Sequence, residues 1–183
     1  MHISGFQPTR GPAVTEADFI RLRDGIASEM GERHLPDLYR KLVLGTRTRR
    51  FTLNHEPIKH VTAEGVTILH TLLGIELKIG KHRLSCPDLA TARYLQVFAR
   101  LGLAEVAVPY DISQLPRIAD ELESAWQYFL LLLENRTHEL PARGRRTVRN
   151  RLVDEVRHAL EALGSGEKVP TFNQNTRQRT AAN

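Results

Sequence analysis

The residues of this 183-residue chain best suited to chemistry are its arginines. Arg143, Arg145, Arg146, Arg149 and Arg151 fall within one nine-residue stretch that contains no acid. A second gathering, Arg40, Lys41, Arg47, Arg49, Arg50 and Lys59, sets six cations against the single carboxylate of Glu56 across residues 40–60. Guanidinium groups pair in two-pronged fashion with phosphate oxygens, and a row of cations displaces condensed counterions from a polyanion. The pattern points to nucleic-acid backbones, RNA or DNA. Arg143–Arg151 would carry the contact, with Arg50, Lys78 and Arg83 adding to it. A solvated, solubilising face is the plainer use of the same residues.

Glu76 and Lys78 form a second constellation. On a strand, side chains two apart share a face, and a carboxylate beside an ammonium can hold Mg²⁺ and orient an attacking water. The stretch from Gly74 to Tyr110 (a strand with E-x-K, a helix, a strand) resembles the second half of the PD-(D/E)xK nuclease core. That resemblance implies metal-dependent phosphodiester cleavage, with Glu76 as metal ligand and Lys78 near the scissile phosphate. The family also sets an acidic residue on the strand just before E-x-K. Here the preceding strand, Arg50 to Asn54, has neither Asp nor Glu.

Other chemistry is thinly represented. The eight histidines (2, 34, 55, 60, 70, 82, 138 and 158) form no H-E-x-x-H, since Pro57 follows His55-Glu56. Cys86 stands near a helix start, where a thiol pKa can fall, but the strand register turns it inward opposite Ile75 and makes it a small buried apolar group. Gly164-Ser165-Gly166-Glu167-Lys168 is no P-loop, because neither a preceding strand nor a following Ser or Thr accompanies it. No metal and no cofactor are expected.

Composition sets the frame. With 26 basic and 21 acidic side chains the formal charge is +5, and 41% hydrophobic with 26% charged residues is a globular balance. One cysteine excludes an intrachain disulfide and fits a reducing cytoplasm. The longest apolar run, Tyr128 to Leu133, is far short of the roughly 20 residues that cross a bilayer, so no membrane partner is expected.

Periodicity then places the elements. Phe19, Leu22, Ile26 and Met30 recur at helical spacing behind a Thr15/Asp18 capping box, and Gly31 ends that helix. Leu35-Pro36-Asp37 opens a second helix that closes at Gly45. Arg49–Asn54 alternates as a strand. Val66, Leu69, Leu72 and Leu73 suggest a helix over Thr62–Leu73. Ile75–Ile79 and His82–Cys86 flank Gly80-Lys81 as a two-residue hairpin, which sets Ile79 against His82, Leu77 against Leu84, Lys78 against Arg83 and Ile75 against Cys86. A largely buried helix with one polar stripe, Arg93, Gln96 and Arg100, opens with a Ser85/Asp88 capping box and ends at Gly102. The strand Glu105–Pro109 completes the set. Residues 49–109 thus read β-α-β-β-α-β, an α/β (α+β) chain with a ferredoxin-like unit. One sheet face would then show Arg50, Thr52, Asn54, Glu76, Lys78, Arg83, Ser85 and Glu105 together.

An N-terminal helical segment and a C-terminal helical hairpin flank that unit. The expected organisation is an arm over 1–13, a globular domain over 14–137, a basic helix over 138–164 behind the linker Leu140–Gly144, and a disordered polar tail over 165–183. Function is expected to be non-enzymatic phosphate binding. The alternatives are a protein-interaction adaptor or homodimer, using the Trp126 helix, and the metal nuclease.

Overall fold

The computed structural model describes residues 14–54 and 65–167. The N-terminal arm, the first residues of the helix expected over Thr62–Leu73, His2, His55, Lys59 and His60 lie outside those residues, as does the tail from 168 onward.

Helix α1 (Glu16–Met30) begins where the Thr15 hydroxyl accepts the Asp18 N–H and stops at Gly31, whose φ of 53° suits glycine. Helix α2 (Leu35–Leu38) runs on through a wider π-type turn over Tyr39–Leu44. Of the apolar residues read from its spacing, α1 buries Phe19, Ile26 and Met30 and leaves Leu22 half-buried, and α2 buries Leu35 and Leu38. Strand β1 (Thr48–Thr52) follows.

The next element overturns an expectation. Val66–Thr71 is a strand, β2, and Leu72-Leu73 are the two turn residues that connect it to β3 (Gly74–Ile79). The leucine spacing imitates a helix, but Val66, Thr67, Ile68 and Thr71 are β-branched and favour the pleated chain. Strand β4 (His82–Cys86) closes the meander in the expected register, with Lys78 opposite Arg83 and Ile75 opposite Cys86.

Helix α3 (Leu89–Leu101) is the centre of the molecule. Its cap is Asp88, whose side chain accepts the Thr91 N–H at 2.7 Å, while Ser85 of the expected capping box belongs to β4. One side covers the inner face of β2–β4, where Val66, Leu77, Ile79 and Cys86 are buried and Gln96 donates to the Val66 carbonyl. Another side meets α4 (Leu115–Thr137), with Arg93 reaching Asp120 and Glu123. Trp126, 2% exposed, stacks on Phe129 inside this core.

Strand β5 (Glu105–Pro109) pairs antiparallel with β1, not with the meander. Over the described residues the fold is therefore α+β with two antiparallel sheets, β1-β5 and β2-β3-β4, and the ferredoxin-like order is not the order found. Three strands in a row replace the β-α-β that this order needs, so no helical crossover returns the chain between β1 and β3 over the described residues. The edge of β5 is closed by two tyrosines: the Tyr39 hydroxyl accepts the Ala107 N–H and donates to the Gly164 carbonyl, each at 2.9 Å, and the Tyr94 hydroxyl donates to the Ala107 carbonyl.

Helix α5 (Ala142–Leu163) packs through Val148, Leu152 and Leu160, and it takes in Ala142–Gly144 from the expected linker. Beyond it the polar tail does not start at once. Ser165–Glu167 turn back along β1, where Glu167 exchanges backbone hydrogen bonds with Arg50 and Thr48. Gly166, at φ 85°, fits there because a Cβ would stand 2.9 Å from the Thr48 hydroxyl.

Candidate functional site

The eight cations expected to contact phosphate (Arg50, Lys78, Arg83 and the five arginines of 143–151) occupy three places. Lys78 and Arg83 lie on the outer face of the meander, away from α3, where Arg83 turns to the Glu76 carboxylate at 3.5 Å. That ion pair offsets the like-charge contact with Lys78. Arg50 lies on the other sheet, 3.5 Å from Glu105, and its guanidinium also donates to the Gly166 carbonyl. The expected common face of Arg50, Thr52, Asn54, Glu76, Lys78, Arg83, Ser85 and Glu105 is thus split between two sheets. Arg50 lies beside Gly166, which follows the C-terminus of α5, so it stands about 25 Å from the arginines that open that helix, at about 1.5 Å per residue.

Those five arginines all lie on the first half of α5. Two are tied inward. Arg145 reaches Glu134 of α4 at 3.3 Å. Arg151 grips both oxygens of Glu16, at 2.6 and 2.5 Å, and lays its guanidinium 3.7 Å from the centroid of the Phe19 ring. Hydrogen bonding from Arg151 holds the Glu16 carboxyl below the usual carboxylate range. Arg143, Arg146 and Arg149 are exposed and have no carboxylate partner among the described residues.

The helix that carries them is charged against its own dipole. Residues 142–151 hold five arginines and no acid, whereas residues 152–163 hold Asp154, Glu155 and Glu161 against Arg157. A helix has a partial positive charge at its N-terminus and a negative one at its C-terminus, which favours the reverse layout. Within the helix itself nothing compensates at the start. Pro141 is the N-cap, no side chain caps the helix, and the first turn has no acid, so the N–H groups of Ala142, Arg143 and Gly144 have no helical acceptor. By contrast α1 opens with Glu16 and Asp18.

The remaining candidates have structural positions. Glu76 is held by Arg83, and β2, the strand directly before E-x-K, has no Asp or Glu, so the acid that the nuclease family places there has no counterpart. Among the described residues no group of three or more His, Cys, Asp or Glu could hold a metal ion. Cys86 is buried, and burial pushes its thiol pKa up, away from nucleophilic use. No described helix is long and apolar enough to cross a membrane.

One exposed feature went unread in the sequence. Leu72 and Leu73 stand wholly in solvent at the β2–β3 turn. The only hint was a pair of leucines directly before Gly74, which the helical spacing absorbed. On α4, Trp126 faces inward and Leu131, 55% exposed, is its one large apolar side chain open to solvent among the described residues. Compared with protein-family models, curated proteins and solved structures, the chain matches none, so its function has to be read from its own charges and surfaces.

Proposed function

We propose that this chain binds the phosphate backbone of nucleic acid through Arg143, Arg146 and Arg149, without catalysing a reaction. One observation carries the reading: α5 concentrates unpaired guanidiniums at its positive end, where they oppose each other and the macrodipole, and a bound polyanion relieves both. Arg145 and Arg151 act differently, securing α5 to α4 and α1. Arg50, Lys78 and Arg83 are secondary, because two of the three already serve carboxylates of their own sheet. We place the binding in the cytoplasm, where the lone buried Cys86 stays reduced.

The test is fluorescence anisotropy with mixed-sequence RNA and DNA across a salt series. Binding at low salt whose affinity falls with salt supports the proposal, with the logarithmic slope reduced by about one for each contacting arginine replaced by alanine. No binding to either polymer at low salt ends it.

A second reading, a protein-interaction surface, is favoured by Leu72 and Leu73, two large apolar side chains that the fold leaves in water. Replacing both with serine would abolish any self-association seen by light scattering. Unchanged association would remove this reading.

A further inference from the structure

The outward face of α5 has more on it than charge. Arg146 and Thr147 each lie three or four residues from both Arg143 and Asn150, so the four share one face, and all are exposed. Val148 and Leu152 hold the opposite face in the core. Asn150 is a poor helix former in mid-helix, and its side chain makes no hydrogen bond among the described residues. Folding gains nothing from it there.

Building on the phosphate-binding reading, we propose that the N-terminal half of α5 enters the major groove of duplex DNA and reads base edges with Arg146 and Asn150. The residue types match groove chemistry: arginine pairs with the O6 and N7 of guanine, and asparagine with the N6 and N7 of adenine. Arg143 stands on the same face one turn before Arg146, and Arg149 lies between Arg146 and Asn150 at the flank of that face, both within reach of backbone phosphates along the groove. The free N–H groups of the first turn, directed along the helix axis, add an anion site at its N-terminus.

Size selects the groove. A helix about 10–12 Å across fits the major groove of B-DNA, roughly 12 Å wide, but neither the minor groove nor the deep, narrow major groove of A-form RNA. From Arg143 to Asn150 the helix rises about 10 Å, about three base-pair steps. Asp154, Glu155 and Glu161 keep the C-terminal half off the polyanion, so the helix goes in N-terminus first.

The experiment selects from a pool of short DNA duplexes randomised at their centre, with duplex RNA and single-stranded DNA as competitors. Enrichment of a core containing guanine and adenine is expected, with duplex DNA bound in preference to both competitors. Arg146→Ala and Asn150→Ala should each cut discrimination at one position by about ten- to a hundredfold. Asn150→Ala should leave the salt slope unchanged. Methylation of guanine N7 in the selected core should block binding. Both substitutions are on an exposed face, and circular dichroism checks that the helix persists. Binding without enrichment, or equal competition by duplex RNA, refutes the groove reading and leaves phosphate binding standing. No binding to any polymer at low salt overturns phosphate binding and this inference with it.

Discussion

Arg143→Glu is expected to make the protein more stable while it weakens nucleic-acid binding. Arg143 is the second helical residue of α5, directly after Ala142, and no side chain caps that end. A cation there opposes the helix dipole by about 0.3–1 kcal/mol at low ionic strength, and a carboxylate in its place gains about as much. Arg146, three residues on, turns from a repelled neighbour into an attracted one, worth about 0.2–0.5 kcal/mol in each direction. Together these terms give a stabilisation of about 1–3 kcal/mol, or a rise in Tm of about 2–12 °C for a chain of this size. The assay is thermal unfolding followed by circular dichroism at low and at high salt. The gain should shrink as salt rises, because the Debye length falls to about 3 Å at 1 M. Anisotropy on the same sample should show weakened nucleic-acid binding. Arg151→Glu is the control and should lower Tm, since it breaks the grip on Glu16 and the contact with Phe19. If Arg143→Glu destabilises, or if its gain ignores salt, the arginines that open α5 are not electrostatically frustrated and the functional reading loses its support.

Two glycines should respond to alanine with opposite signs. Gly144→Ala should stabilise by about 0.5–1 kcal/mol in urea titrations, because its Cβ would meet only the Leu140 side chain at 3.7 Å and Pro141 at 3.9 Å. Gly166→Ala should cost more than about 1 kcal/mol, since φ is 85° and the Cβ would press on Thr48 and on the Arg49 backbone. Trp126→Ala should cost about 3–5 kcal/mol in the same titrations, and wild-type tryptophan emission should not change when nucleic acid is added, because the ring is buried away from α5's outer face. Tyr39→Phe should cost about 1–3 kcal/mol by leaving the buried Ala107 N–H without its acceptor. Burial raises the hydroxyl pKa of both Tyr39 and Tyr94 above that of a free tyrosine. Their contribution to stability is therefore complete below about pH 10 and lost as pH rises through the folded values, so alkaline unfolding should begin above about pH 10.

Local order was legible in the sequence where one signal dominated. Thr15 with Asp18, Gly102 after Leu101 and the Gly80-Lys81 hairpin each combine a period with its punctuation, and the pairing of Lys78 with Arg83 followed from counting residues. Val66–Leu73 failed because two periods compete there. Val66 and Ile68 alternate toward the core, while the leucines repeat at helical steps, and leucine is an unusual residue for a two-residue turn. That one misreading changed the sheet order and dispersed the expected polar face. The site was half legible. The arginine cluster is plain in the sequence, but which arginines are spoken for depends on Glu16 and Glu134, carboxylates that only tertiary packing brings to Arg151 and Arg145. No pattern in a linear chain marks Tyr39 as the hydroxyl that joins Ala107 to Gly164.

The short return of Ser165–Glu167 along β1 has a consequence for biosynthesis. β1 receives β5 on one edge and Glu167 on the other, so a strand that leaves the ribosome early waits for partners made much later. The meander can pair locally as it emerges, whereas the β1 layer closes only after the last turn of α5 has been translated. Truncation before Gly164 would leave newborn β1 with an open edge and Tyr39 without its acceptor carbonyl.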